Sequence, residues 1–472
     1  MRAVVLVACL ASVSCQSRSS DAPAKQPPKP VPVRPAPASA VDPWTVKTVD
    51  AGVETPESRK QHAETALARV HGLEPKLAEL RGLAFKQDVP TEYQTTHEFQ
   101  VYVHREVAKD LPDAKTKEMT AALVQIGLLA KPIDLAAMEE HAMVTQAAAY
   151  YDPAAKKFFL VAVPDSDLLL DTISVHELDH GLQDQYFDLR KFLPEGKLDD
   201  DQATARRFIA EGEATYTMLM FMARASGGPG AVLVDKLIRR QIETWAAMDL
   251  RALVQMSKDQ AGMMKSLGPD LAKSVEAMDD IPPTISAPLF YAYMKGALVA
   301  MTAYERGGWD AVNALFKDPP ESTEQVLHPA TKLYPREMPH KVTLPKLGTE
   351  LTTNVMGELQ WWVYFNLWKP KLADTASAGW GGDRFAVIKR KDGKLTGLLA
   401  TIWDTPQDAK EMYDAYLATL PVRFPGAKPA SGAERGDGTK VFVKLDGSKV
   451  FIVDGADSEA TLNDLVRGAK LD

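Results

Sequence analysis

Two histidines and a glutamate stand at a spacing that could bind a metal ion and activate water. They are His176, Glu177 and His180, in the run His-Glu-Leu-Asp-His. The surrounding residues predict a helix over 166–190, and side chains four residues apart lie on one face of a helix. Two imidazoles can therefore bind one zinc ion from the same side. Glu177 next to them could take a proton from water that the ion polarises.

A catalytic zinc site has three protein ligands and keeps one coordination position open. A second predicted helix, over 202–224, contains the run Glu-Gly-Glu-Ala, which starts at Glu211. A carboxylate from this helix could complete the ligand set. Gly212 would let this helix pack closely on the helix of the histidines, because it has no side chain. The residues alone leave open whether Glu211 or Glu213 is the ligand.

The two motifs together resemble those of the gluzincin metallopeptidases, in which a His-Glu-x-x-His helix is followed by Glu-Gly-x-Ala. The resemblance covers about residues 90–345 and includes a group of uncharacterised bacterial zinc metallopeptidases. It implies that Glu211 is the third zinc ligand, with Glu213 as the alternative, and that Glu177 is the general base of peptide hydrolysis. The two motifs are further apart than in the best-known gluzincins, so we expect residues 193–200 to loop out.

The resemblance also implies a residue that stabilises the oxyanion formed during hydrolysis, since such peptidases use a downstream tyrosine or histidine. Tyr293, on a predicted helix over 287–306, and His328, in a predicted loop, are the two candidates, and Tyr291 is a third choice. An edge strand is expected above the active-site helix, where an extended peptide could add a strand. Residues 146–163 predict the hairpin that would supply it.

The elements that must hold these residues are of both kinds. Apolar periodicity predicts helices over 56–84 and over most of 104–145, whereas alternating residues over 97–103 predict a strand. From about residue 350, strand-like runs alternate with helices, and a hairpin is expected around Asp446-Gly447. The fold class expected is therefore α+β, with a largely helical, zincin-like part.

The domain organisation follows from these patterns. We expect a zincin-like catalytic domain over 44–345 and a separate small α+β domain over 350–472. Residues 16–43 are rich in proline, alanine and serine and show no hydrophobic period, so they predict a disordered tether.

The first fifteen residues predict a secretory signal, because one arginine precedes a short apolar run that ends in small residues. The segment is similar to a bacterial lipoprotein signal with Cys15 as the lipidated residue, although Cys9 has the better-fitting preceding residues. A plain signal peptide with an incidental cysteine is the alternative. The prediction is an exported protein of the cell envelope that is anchored to a bacterial membrane by lipid.

Composition excludes several other classes of function. The net charge is −8 and no run of lysine and arginine stands out, which argues against a nucleic-acid partner. The two cysteines both lie in the first fifteen residues, so a thiolate zinc site and a cysteine nucleophile have no support in the body of the chain. No Gly-x-Ser-x-Gly run supports a serine hydrolase. Zn²⁺ and a peptide or protein substrate are the expected cofactor and partner.

Two alternatives remain open at this stage. One is a zincin-fold envelope protein that has lost proteolysis and acts as a binding or assembly factor. The other is a structural zinc site, which usually has four protein ligands. The presence of three candidate ligands and a base favours the peptidase.

Overall fold

The computed structural model describes most of the chain after the predicted tether. The described residues are 56–144, 148–164, 166–225, 231–252, 255, 281–426 and 432–472. The predicted signal, tether and lipidation site, and parts of the methionine-rich region between 226 and 280, lie outside the described residues. The fold class is α+β, as the sequence predicts, with helices dominating up to about residue 330.

The first part of the chain builds a small sheet flanked by helices. The helices are α1 (Pro56–His71), α2 (Glu74–Arg81), α3 (Thr96–Asp110), α4 (Asp113–Gln125) and α5 (Leu135–Val144). The strands are β1 (Thr91–Tyr93), β2 (Ala149–Asp152) and β3 (Lys157–Leu160). β3 is central; it pairs in parallel with β1 and antiparallel with β2. The predicted hairpin over 146–163 is confirmed for its described residues, and β2 is an edge strand.

The predicted strand over 97–103 is wrong, because this segment lies within α3. Thr95 caps that helix: its side chain accepts from the backbone N–H of Glu98, whose carboxylate accepts from the N–H of Thr95. This capping box fixes the start of a helix. Phe99, Val103 and Val107 are buried at four-residue spacing, and this apolar face of α3 packs on the sheet.

The centre of the molecule is a group of packed helices. They are α6 (Asp167–Phe187), α7 (Leu189–Phe192), α8 (Asp200–Ala225), α9 (Ala231–Ala246), α10 (Pro283–Lys317) and α11 (Thr323–Leu327). The helices predicted over 166–190, 202–224 and 287–306 are confirmed as α6, α8 and α10.

α8 and α10 approach each other closely at two glycines. A Cβ atom on Gly212 would lie 2.0 Å from the carbonyl carbon of Gly296, and one on Gly296 would lie 2.4 Å from the carbonyl oxygen of Phe208. Both distances are far below ordinary contact. The expectation that Gly212 packs on the histidine helix is therefore wrong, because this glycine brings α8 against α10.

The last part of the chain is a six-stranded antiparallel sheet with helices on it. Its strands are β5 (Thr349–Asn354), β6 (Trp380–Lys389), β7 (Leu395–Trp403), β8 (Gly432–Glu434), β9 (Lys440–Asp446) and β10 (Lys449–Ala456), in the order β5-β6-β7-β10-β9-β8. Its helices are α12 (Gly357–Trp368), α13 (Ala373–Ser377), α14 (Pro406–Arg423) and α15 (Ala460–Gly468), with a 3₁₀ turn over Pro370–Leu372. The hairpin predicted around Asp446-Gly447 is confirmed, and Gly447 adopts the positive φ that this tight turn requires.

One hydrophobic cluster includes residues from both sides of the expected domain boundary. It contains Phe208 of α8 and Phe290 of α10 together with Trp361 of α12 and Ile452 of β10. A short two-stranded sheet, β4 (Val342–Thr343) with β11 (Lys470–Leu471), joins the chain terminus to the linking segment. The boundary between 345 and 350 stays a prediction. In the part of the chain that the structure describes, no helix is long and apolar enough to cross a membrane.

Candidate metal centre

The three predicted ligands come together at the centre of the helical part. His176 and His180 lie one turn apart on α6, and Glu211 reaches them from α8. The Nε2 atoms of the two histidines are 3.1 Å apart, and the Oε2 atom of Glu211 is 3.3 Å from the first and 3.4 Å from the second. Among the described residues, this is the one cluster of three or more side chains whose ligand atoms could hold a metal ion.

The spacing of the donor atoms is better explained by a shared metal ion than by hydrogen bonds among them. A tetrahedral ion with bonds of about 2.0–2.1 Å holds its ligand atoms about 3.3 Å apart. Two Nε2 atoms that face each other at 3.1 Å share at most one proton, and both are directed at the same carboxylate oxygen. His176 and His180 are 0% and 1% exposed, so water does not solvate this arrangement. The residues present therefore fit a divalent cation.

A neighbouring amide fixes the orientation of the second imidazole. The Nδ1 atom of His180 lies 3.0 Å from Oε1 of Gln183, so Nδ1 donates to this amide oxygen. The lone pair of Nε2 is then directed at the metal position. The amide nitrogen of Gln183 donates in turn to the carbonyl oxygen of Ala210 at 2.9 Å and to the carboxylate of Glu213. The Nδ1 atom of His176, by contrast, is buried without a described partner.

The charges of the cluster are strongly coupled when no cation is bound. Burial and the histidines act on Glu211 in opposite directions, and the net effect lowers its pKa to about 2. Burial alone would lower the pKa of His180, but the Glu211 carboxylate outweighs it and raises that pKa to about 10. Burial lowers the pKa of His176. The buried carboxylate thus attracts positive charge into the space between the rings, which a proton or a metal ion can supply.

Glu177, the predicted general base, follows His176 on α6 and is completely buried. Its Oε2 atom accepts from the backbone N–H of Tyr151 on the edge strand β2 at 2.7 Å. Its Oε1 atom is buried and has no described hydrogen-bond partner. Burial raises the pKa of Glu177 to about 8. One oxygen of the carboxylate is therefore held by the strand, and the other is available to take a proton.

Glu213 has a different partner and is not part of the ligand cluster. Its Oε1 atom lies 2.5 Å from Nε of Arg81, and the Thr217 hydroxyl donates to it at 3.0 Å. Arg81 also faces Asp179 of α6 at 3.3 Å. All three charged groups are almost completely buried. Burial and the charge of Glu213 raise the pKa of Asp179 well above its usual value.

Arg81 is the residue that sequence reasoning missed. It lies on α2, and its guanidinium stacks on Trp309 with 4.0 Å to the ring centroid. It also donates to the side-chain oxygen of Asn313 at 3.1 Å. Nothing in the local sequence distinguishes it from other helical arginines. The carboxylate of Asp184 accepts from the hydroxyl of Tyr151 at 2.8 Å and so joins α6 to β2.

The oxyanion candidates are at three different places. Tyr293 is 1% exposed, and its ring centroid lies 5.8 Å from that of His176. Tyr291 packs on Trp362 with its centroid 5.6 Å away. His328 is bound to Glu358 of α12, with 2.7 Å between Nε2 and Oε1. Only Tyr293, of the three, has a described contact with a predicted metal ligand.

Comparison with known proteins bears on the last part of the chain alone. Residues 343–466 match a family described as a domain of unknown function (DUF8575). No curated protein and no solved structure matches the chain. The match covers the six-stranded sheet and its helices, whereas the histidines and Glu211 lie before it in the chain.

Proposed function

We propose that the protein is a zinc-dependent peptidase of the gluzincin type. The observation that carries the proposal is the buried set of three ligand atoms within 3.1–3.4 Å of one another, together with the buried Glu177 carboxylate, on which the charges of His180 and Glu211 act. Three protein ligands and a neighbouring carboxylate are the composition of a hydrolytic zinc centre, whereas structural centres usually have four protein ligands. The identity of the metal rests on this donor set, since two imidazoles and a carboxylate suit zinc.

Each residue of the centre has a separate role in the proposed hydrolysis. A zinc ion held by His176, His180 and Glu211 would lower the pKa of bound water to about 7. Glu177 takes the proton of the attacking water on its free Oε1 atom and returns it to the leaving amine. The backbone N–H of Tyr151 keeps the other oxygen in place. The ring of Tyr293 beside His176 supports its assignment to the oxyanion, and His328 remains the second candidate.

A catalytically silent zincin-fold protein of the envelope is the second candidate. The observation in its favour is the burial of the centre, where His176 and Glu177 are 0% exposed and Glu211 is 7% exposed. A peptide has to reach the metal for hydrolysis, so a silent protein would keep the same ligands and exclude the substrate. The two candidates differ in one measurable property, which is peptide hydrolysis that depends on Glu177.

The test combines metal content with hydrolysis, on the chain from residue 44 onward. We expect about one zinc per chain by elemental analysis in the parent protein and weaker zinc retention in Glu211→Ala. Glu177→Gln should keep its zinc and lose hydrolysis of a mixed peptide library by about 10²- to 10⁴-fold. Glu195→Gln is the matched control, because Glu195 is an exposed carboxylate with no described contact to the centre.

The results separate the alternatives. Zinc-free parent protein after mild metal loading would refute the metal centre itself. Zinc with no hydrolysis in the parent, or hydrolysis unchanged in Glu177→Gln, would refute the peptidase and favour the silent protein. Zinc retention unchanged in Glu211→Ala would transfer the third ligand to another carboxylate, and Glu213 would be tested next.

We propose further that the protein is exported and lipid-anchored in the cell envelope. The support is the arrangement of one arginine, an apolar run and Cys15, followed by the proline-rich tether over 16–43. Mass spectrometry of the mature N-terminus tests this proposal. Acyl-modified Cys15 would support it, and an unprocessed Met1 would refute it.

A further inference from the structure

An unpaired arginine lies next to the metal cluster on the same helix. Arg207 is on α8, four residues before Glu211, so the two side chains lie on neighbouring parts of one helix face. The separation of their Cα atoms along the axis is about 6 Å. Arg207 is partly exposed, but its Nε atom is buried. The guanidinium is therefore in a recess beside the centre rather than on the open surface.

No described residue pairs with this guanidinium. Its buried Nε atom has no hydrogen-bond partner, and no carboxylate of the described chain lies within ion-pair distance of it. The neighbouring Arg206 also has a buried Nε atom without a partner, but its Nη1 atom donates to the carbonyl oxygen of Phe192 at 2.9 Å. Buried donors without partners cost free energy, particularly when they are charged. A bound ligand or an ordered water would satisfy such a group.

The surrounding carboxylates act on Arg207 from a distance without pairing with it. Burial lowers its pKa, and the charges of Asp200, Glu139 and Glu211 oppose that effect. Burial also raises the pKa of Glu139 to about 7, so this acid is only partly charged near neutral pH. Glu211 would be neutralised by the metal that it binds. An arginine keeps its charge in proteins, so a positive charge with an unpaired Nε donor remains beside the occupied centre.

We infer that Arg207 binds a carboxylate of the substrate. The inference rests on the proposed peptidase function and deepens it. A guanidinium presents paired N–H donors that match the two oxygens of a carboxylate. Arg207 lies about 6 Å along the helix from Glu211. A peptide in extended form rises about 3.3 Å per residue, so the carboxylate would lie one to three residues from the scissile bond.

We assign the carboxylate that Arg207 binds to the C-terminus of a peptide substrate. A terminal carboxylate is present on every peptide, and its position relative to the cleaved bond would restrict cleavage to the last few residues. Arg207 is then a specificity-determining residue that makes the enzyme act on peptide C-termini. An acidic side chain at the same distance has the same chemistry, and the experiment separates the two.

Binding of small zinc-chelating peptides tests the inference. The probes are hydroxamate-capped peptides of one, two or three alanines, each made with a free terminal carboxylate and as the terminal amide. A third set ends in an amidated glutamate, which keeps only a side-chain carboxylate. Affinities are measured by calorimetry on the zinc-loaded parent, on Arg207→Ala and Arg207→Gln, and on the control Arg206→Ala. Thermal unfolding checks that each variant is folded.

We expect one length of the free-acid probes to bind the parent about 10- to 100-fold more tightly than its amide. Both Arg207 variants should lose this difference, and Arg206→Ala should keep it. Preference for the glutamate amide instead would support a carboxylate site and assign it to an acidic side chain. Equal affinities of acid and amide in the parent, or a preference that survives in both Arg207 variants, would overturn the inference.

The outcome also distinguishes this inference from the function on which it rests. Zinc-dependent binding of the amide probes reports the accessible metal centre, whereas the acid-to-amide ratio reports Arg207. Amide probes that bind without any preference for the acid refute the arginine site alone. No binding of any probe to zinc-loaded parent protein refutes both. Equal losses for acid and amide in the Arg207 variants would also overturn carboxylate binding and assign the guanidinium to the oxyanion.

Discussion

The contact between Gly212 and Gly296 predicts that the single methyl group added by Gly212→Ala displaces α8 and thereby disrupts the metal centre. In Gly212→Ala, the new Cβ would lie 2.0 Å from a backbone carbonyl carbon, whereas ordinary contact begins at 3.4 Å. Backbone atoms cannot rotate away, so α8 and α10 must separate by about 1.4 Å. Overpacking of this kind costs about 1–3 kcal/mol, and the upper end applies because both partners are backbone.

The same displacement should be visible in metal binding. Glu211 precedes Gly212 on α8, and zinc ligands tolerate deviations of only about 0.2 Å. A shift of α8 that is several times larger removes the carboxylate from the ion. We therefore expect Gly212→Ala to weaken zinc binding by more than 100-fold, in addition to the loss of stability, since even indirect disturbance of a ligand costs about 10- to 100-fold.

Urea unfolding and competition with a chelator measure the two effects. Gly296→Ala should act similarly, because its Cβ would meet the carbonyl oxygen of Phe208 at 2.4 Å. The double variant should cost less than the sum of the two, since helices that have already moved apart accept the second methyl group. Gly436→Ala is the control, with no atom within 4 Å of its added Cβ. If Gly212→Ala matched that control in stability and zinc affinity, the close approach of the helices would be refuted.

Two further predictions concern residues around the centre and away from it. Gln183→Leu should weaken zinc binding by about 10- to 100-fold with little change in metal stoichiometry at saturation, because His180 loses the acceptor that fixes its ring. Competition with a chelator measures the zinc affinity, and an unchanged affinity would contradict the assigned role of Gln183. The hydrogen bond to Glu358 raises the pKa of His328 in the folded protein. The pair should therefore stabilise the protein fully at pH values below about 6.5, which is the pKa of histidine in the unfolded chain. This contribution is lost as the pH rises through the higher pKa of His328 in the folded protein. Urea unfolding of the parent and His328→Gln from pH 5 to pH 9 should show a stability gap that closes with rising pH; a constant gap, or zinc loss in the variant, would contradict this reading.

Much of the helical part could be predicted because its local signals agree with its final environment. The apolar periods of α6, α8 and α10 and the turn chemistry at Asp446-Gly447 led to the elements that are found. The segment over 97–103 failed because alternation over seven residues also fits one face of a helix. The capping box of Thr95 and Glu98 was the signal that could have decided it.

In the candidate site, too, local sequence patterns predicted some residues and could not predict a contact between distant elements. His176, Glu177 and His180 are set by local spacing on one helix, and Glu211 followed from a motif on the next helix. Arg81 could not be predicted, because the sequence gives no sign that α2 delivers it to a carboxylate pair on α6 and α8. Pairings between elements depend on how helices cross, and a single sequence does not contain that information.

The buried position of Arg81 limits how the protein can be processed. Residues 44–90 form the start of the predicted catalytic domain, and by position alone they could be a removable propeptide. Release of that segment would take the guanidinium away from Asp179 and Glu213, which are both buried. Removing one partner of such a group costs about 3–5 kcal/mol, a large share of the stability of a typical domain. A maturation cut is therefore expected on the N-terminal side of α2, and α2 is retained as a permanent part of the mature protein.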